Sequence, residues 1–157
     1  WKHQVLRELA PAMPGAKPLA LAHACRPDIT AAEVTVALNF LVKAGLLKKD
    51  EQGRYIQTDT YVSTGPMDVT PVAVRGLHRQ MGEIALEAIE GVPQDQRHFS
   101  GLTLGITRDA YGEIVQKIAE FRKELVAIAT RDSATDEVYR LNVQFFPMTK
   151  KSINKKG

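Results

Sequence analysis

The sequence predicts an α+β chain, a winged helix-turn-helix followed by a small helix-strand-helix-strand module. Three observations carry that prediction. Helix, helix, capped helix and hairpin follow one another within residues 1–57. Two long stretches of helical period lie at 71–90 and 107–130, and each is followed by a segment of period two. The 157 residues suffice for one ordinary domain or two small ones.

Residues 1–10 place Val5, Leu6 and Leu9 on one side of a short helix. The prolines of Pro11 to Pro18 are expected to break it, since each removes an amide donor. Leu19 to Cys25 is short and apolar, the pattern of a buried two-turn helix, and Pro27-Asp28-Ile29 is a turn. Thr30-Ala-Ala-Glu33 is a capping box: the threonine accepts from first-turn amides and the glutamate reaches back to the N-cap amide. Val34, Ala37, Leu38 and Leu41 then line the buried face, and Gly45 closes the helix at C′. Leu46 to Gln57 divides into two short strands around Gln52-Gly53.

Residues 58–68 are expected to be a linker, with Ser63-Thr-Gly-Pro66 inside it. Thr70-Pro71 starts a helix ending near Glu90, with Leu77, Met81, Ile84, Ala85 and Ala88 in one stripe. Leu102, Leu104 and Ile106 alternate with Thr103 and Gly105, so 100–106 is expected to be a strand. Thr107 caps a second long helix whose apolar residues, from Tyr111 to Ile128, recur at spacings of three and four. That narrow seam is expected to pack on the 71–90 helix. In the last strand Tyr139, Leu141, Val143 and Phe145 face one way, and Arg140, Asn142 and Gln144 the other. The domain reading is a winged helix at 1–60, an α/β regulatory or dimerisation module at 66–149, and a basic disordered tail at 150–157. Two strands make a marginal sheet alone. They can pair with each other, with an upstream segment, or with a second copy of the chain.

Charge and composition narrow the function. The net charge of +3 divides into +2 over 1–60, −3 over 61–149 and +4 over the tail. A strongly cationic body, the usual mark of a nucleic-acid binder, is missing from the pattern. No apolar run is long enough for a membrane helix, and the first residues given show no basic-then-apolar segment of secretory type, so a cytoplasmic protein is expected. A start at Trp1 rather than Met suggests an upstream domain. One cysteine, Cys25, and histidines scattered at 3, 23, 78 and 98 offer neither a disulfide nor a metal-ligand spacing. No activated nucleophile, carboxylate pair or phosphate-binding glycine loop is present in the pattern. No catalytic residue, metal or cofactor is assigned, and a non-enzyme is expected.

Burying Val34, Ala37, Leu38 and Leu41 turns Val36, Asn39, Phe40 and Lys43 outward. In a DNA-binding winged helix this face enters the major groove and the wing touches the backbone. Asn39 suits an adenine edge, and Lys43 a guanine or a phosphate. Thr35 lies near the helix start, and Lys48, Lys49 and Arg54 lie on the wing as phosphate contacts. Against this, Glu33, Asp50 and Glu51 stand close by, and Val36 and Phe40 form an apolar pair of the kind that packs on protein. Direct DNA contact and a partner-binding or structural role both remain open. His78, beside the Leu77/Met81 stripe, and the Arg140, Asn142, Gln144 row are candidate ligand or interdomain contacts; the bland readings are boundary hydrogen bonding and a wet strand face.

Several strings are distinctive: Ile29-Thr-x-x-Glu33, Gly45-Leu-Leu-Lys, Asp50-x-x-Gly53-Arg, Ser63-Thr-Gly65, His78-Arg-Gln-Met81, Phe99-Ser, Phe121-Arg-Lys-Glu-Leu125 and Leu141-Asn-Val-Gln-x-Phe-Pro147. With these the chain resembles the large paralogous family best known from Fibrobacter, bacterial transcription-regulator-like proteins whose C-terminal region is a domain of unknown function. The resemblance implies the C-terminal regulatory or dimerisation part of a regulator. It also implies a phage-repressor-like helix-turn-helix upstream. It supplies no catalytic residues.

Overall fold

The computed structural model describes residues 1–58, 71–131 and 134–150. The expected linker from residue 59, the Thr70 cap and the tail beyond Lys150 lie outside the described residues. The chain is mixed α+β. Helices α1 (Lys2–Ala12), α2 (Pro18–His23) and α3 (Ala31–Lys43) precede strands β1 (Leu47–Lys49) and β2 (Tyr55–Gln57). The strands pair antiparallel with Lys48 opposite Ile56, and three helices with a two-stranded sheet make a winged-helix-like module.

Local chemistry sets each boundary of this module. Thr30 Oγ1 accepts from the Glu33 amide at 3.2 Å, and a Glu33 carboxylate oxygen accepts from the Thr30 amide at 2.9 Å, so the expected capping box is formed. At the other end of α3 the Gly45 amide donates to Val42 and the Leu46 amide to Leu41, a Schellman closure. It requires the left-handed backbone that Gly45 adopts at φ +71°. In the hairpin, Asp50 Oδ1 accepts from the amides of Gln52 and Arg54 at 3.0 and 2.8 Å, and Gly53 supplies the second positive φ.

The core is continuous through the module: Leu6 of α1, Leu21 of α2, Val34 and Leu41 of α3, and Leu47 of β1 are essentially inaccessible to solvent. Cys25 is buried against the same cluster. One boundary differs from the sequence expectation. Pro11 does not break α1, which carries it in its last turn. The missing proline amide leaves the Arg7 carbonyl without its helical donor, and Gln57 Nε2 of β2 donates to that carbonyl at 3.0 Å.

The second half departs further. Helices α4 (Pro71–Gly91) and α5 (Arg108–Ala129) form as expected, and Thr107 caps α5 by accepting from the Ala110 amide at 3.2 Å. The strands expected at 100–106 and 139–145 do not form; both segments run free of turns and bends but pair with no strand. The expected α4–α5 packing is also not made along the helices. A strand exists only where its amides and carbonyls find a ladder, and within one chain these two segments do not supply it to each other.

Polar contacts tie the second half to itself and to the first. Asn142 Nδ2 donates to the Met81 carbonyl at 2.9 Å, Arg140 Nη1 to Gln4 Oε1 at 3.1 Å, and Arg26 Nη1 to the Gly91 carbonyl at 2.9 Å. The last places a cation at a helix C-terminus, where the dipole favours it. Among the described residues after 58, only the Met81 side chain is buried.

Candidate nucleic-acid interface

The α3 surface divides into two rows because a helix brings residues four apart into line. Thr35, Asn39 and Lys43 form one row and Val36 and Phe40 the other, and all five are exposed. Thr35 Oγ1 donates to the Ala31 carbonyl at 2.9 Å, so the hydroxyl proton is already committed within the helix. Asn39 and Lys43 project farther along the same line.

The start of α3 is negatively charged. Glu33 is held by Lys2 Nζ at 2.5 Å, and that bond, with the two from Thr30, lowers its pKa to about 2. The capping carboxylate occupies the place where a phosphate would meet the helix dipole.

In the wing, Lys48 and Lys49 are exposed on β1, and Lys49 Nζ lies 5.1 Å from the centre of the Tyr55 ring. Arg54 is differently engaged. Its Nε donates to Asp50 Oδ2 at 2.6 Å and its Nη2 to Gln52 at 3.0 Å. Desolvation alone would raise the Asp50 pKa, but the bonds from Arg54 and the Gln52 amide outweigh it and hold the carboxyl below its ordinary value. Arg54 thus stiffens the turn, with its charge matched locally, while Lys43, Lys48 and Lys49 supply the open cations of this surface.

Phe40 is not simply presented to solvent. The His3 ring of α1 meets it edge-on, with centroids 4.8 Å apart. Desolvation, the N-terminal ammonium and Lys2 together lower the His3 pKa, which favours the neutral ring in that contact. His3 and Lys2 are participants that sequence reasoning missed, because their roles arise from α1 crossing α3 and no local pattern marks them. Between the α1–α2 loop and the wing lies a shallow cleft of about 240 Å³, bordered by Lys17, Leu38, Lys49 and Tyr55.

The other candidate residues lie away from this surface. His78 is exposed on α4. Arg140 Nε donates to Asn142 Oδ1 at 2.9 Å, and this pair faces α4 and α1 through the bonds to Met81 and Gln4. Gln144 follows the same side, its Nε2 close to Gly82. The polar row is therefore turned toward the rest of the chain. Tyr139, Leu141 and Val143, on the opposite side, are exposed. Among the described residues no three His, Cys, Asp or Glu side chains gather as a metal site, and no helix is long and apolar enough to cross a membrane.

Comparison with known proteins gives one match. The sequence profile of the domain of unknown function DUF4423 covers residues 1–148, so the chain belongs to that family. No curated protein and no solved structure matches it.

Proposed function

For this member of the DUF4423 family, we propose that the chain is the C-terminal part of a bacterial transcriptional regulator and that its winged-helix-like module contacts DNA. The observation that carries the reading is the row Thr35, Asn39 and Lys43 on a doubly capped helix, beside a two-stranded wing bearing Lys48 and Lys49. A rigid helix with an amide and an ammonium one turn apart suits a major-groove edge, and strand lysines suit the flanking phosphates. The reading includes two copies of the chain, because duplex operators are commonly read by paired modules.

Fluorescence anisotropy of the chain with labelled random duplex tests it. Each phosphate contact contributes about 0.9 to the salt slope, so three lysines predict roughly 40-fold weaker binding at 200 mM than at 50 mM salt. Replacing Lys43, Lys48 and Lys49 by Gln flattens that slope. Salt-independent or undetectable binding at low salt rejects the open face as a phosphate surface.

The second reading is a protein-interaction or structural scaffold whose winged helix has lost DNA contact. It is favoured by Val36, 69% exposed, and Phe40, 54% exposed despite His3. Under that reading Phe40→Asp abolishes partner capture while the lysine substitutions change nothing.

A further inference from the structure

The C-terminal half carries apolar surface that the described residues leave largely uncovered. Leu102 is 87% exposed, Leu104 and Leu141 about half, and Tyr139 69%. Helix α5 spans 22 residues with its apolar seam intact, yet none of its side chains is buried; Phe121 and Ile128 stand open. Between residues 99 and 146 twelve large apolar side chains are exposed, together on the order of 1,000 Å² of apolar surface.

The backbone is equally incomplete. Segments 100–106 and 139–145 each alternate apolar and polar residues along a course without turns or bends, and neither has a ladder partner among the described residues. The 139–145 segment is docked by its polar row, through Asn142 to Met81 and Arg140 to Gln4, so its apolar row points away from α4. Tyr111 of α5 stacks on Phe145 at 5.4 Å and ties the helix to the end of the same segment.

We propose that a second copy of this chain covers this face: residues 100–106 and 139–145 of the two copies pair as strands in one intermolecular sheet, and the α5 seams lie on its apolar side. Every element required is present once in each chain, and among the described residues each is left only partly satisfied. The segments need a strand edge and an apolar cover; α5 needs an apolar sheet. Exchange between two copies supplies a strand edge and an apolar cover together and closes on a two-fold axis. A different partner would have to bring both a matching edge and an apolar helix. The apolar surface exposed over these segments and α5 is of the same order as the roughly 800 Å² per partner of a standard stable interface. The proposal does not depend on DNA contact, since no residue of the α3 face takes part.

Sedimentation equilibrium of the 157-residue chain, with amide hydrogen exchange, tests it. The expected mass is twice the 17.4 kDa of one chain, with the amides of 100–106 and 139–145 protected. Leu104→Asp and Leu141→Asp are expected to weaken the dimer at least 100-fold and to strip that protection, with exchange in residues 1–58 unchanged. Should either variant misfold, Thr103→Pro decides: residue 103 is exposed and unpaired in the single chain, so proline spares the monomer but removes a ladder donor from the dimer. A monomer at about 100 μM, well above the dissociation constants of stable dimers, overturns the proposal. So does a dimer whose two segments exchange freely, or one indifferent to Thr103→Pro and both aspartates.

Discussion

Asn142 donates its side-chain amide to the main-chain carbonyl of Met81 at 2.9 Å, across 61 residues of sequence. Met81 is also the one buried side chain among the described residues of the second half. This contact, with the bond from Arg140 to Gln4, turns the polar row of the 139–145 segment inward. With Asn142 turned inward, Leu141 and Val143 must turn outward, because successive side chains on such a segment alternate.

Asn142→Ala is expected to destabilise the second half by about 1 kcal/mol, the net worth of a typical hydrogen bond. Faster amide exchange around Met81, with residues 1–58 unaffected, is the signature. Unchanged exchange there means that the contact contributes nothing net.

Gln57 and Pro11 form a second testable pair. Gln57→Ala removes the bonds that Gln57 Nε2 donates to the Arg7 carbonyl and to Glu8 Oε2 and is expected to cost about 1 kcal/mol. Pro11→Ala restores a helical amide to the same carbonyl, so Gln57→Ala should cost measurably less in that background. Equal cost in both backgrounds, by denaturant unfolding, rejects the compensation.

Thr30→Ala removes one half of the capping box and is expected to lower stability by about 1 kcal/mol. Thr30→Ser, which keeps the acceptor, should recover most of it. Thermal unfolding of the three proteins separates a lost cap from a lost methyl group.

Acid dependence follows from Glu33. Its pKa is about 2 in the folded chain against an ordinary 4.5, because Lys2 and Thr30 stabilise the carboxylate. The folded state therefore binds this proton less readily than the unfolded state. The stabilisation is fully present above pH 4.5 and fades as pH falls toward 2. The gap in melting temperature between wild type and Glu33→Gln should narrow over that window, and a gap constant from pH 6 to 2.5 contradicts the assignment.

Leu41→Ala is expected to cost about 2–5 kcal/mol, since the side chain is essentially inaccessible at the centre of the first-half core. Leu102→Ala should cost far less in the monomer, where Leu102 is 87% exposed. If the intermolecular sheet forms, however, Leu102→Ala weakens the dimer. Chemical denaturation at two protein concentrations distinguishes the two effects.

What the sequence by itself determined is local. Thr30-x-x-Glu33, Gly45 and Gln52-Gly53 mark the two ends of α3 and the wing turn through contacts at most a few residues apart, and all three form as read. The helical stripes of α4 and α5 and the Thr107 cap were equally legible, because periodicity and capping are written within one element.

Tertiary structure alone decided the rest. Nothing near Pro11 announces that Gln57 will meet the Arg7 carbonyl, and nothing near Phe40 announces His3. The alternation of 139–145 was legible, but the face that turns inward was not. Apolar residues bury only where an apolar partner stands opposite, and in one chain the Met81 carbonyl and Gln4 capture the polar row instead. Alternation specifies that a segment has two faces; which of them is covered depends on what the fold places against it.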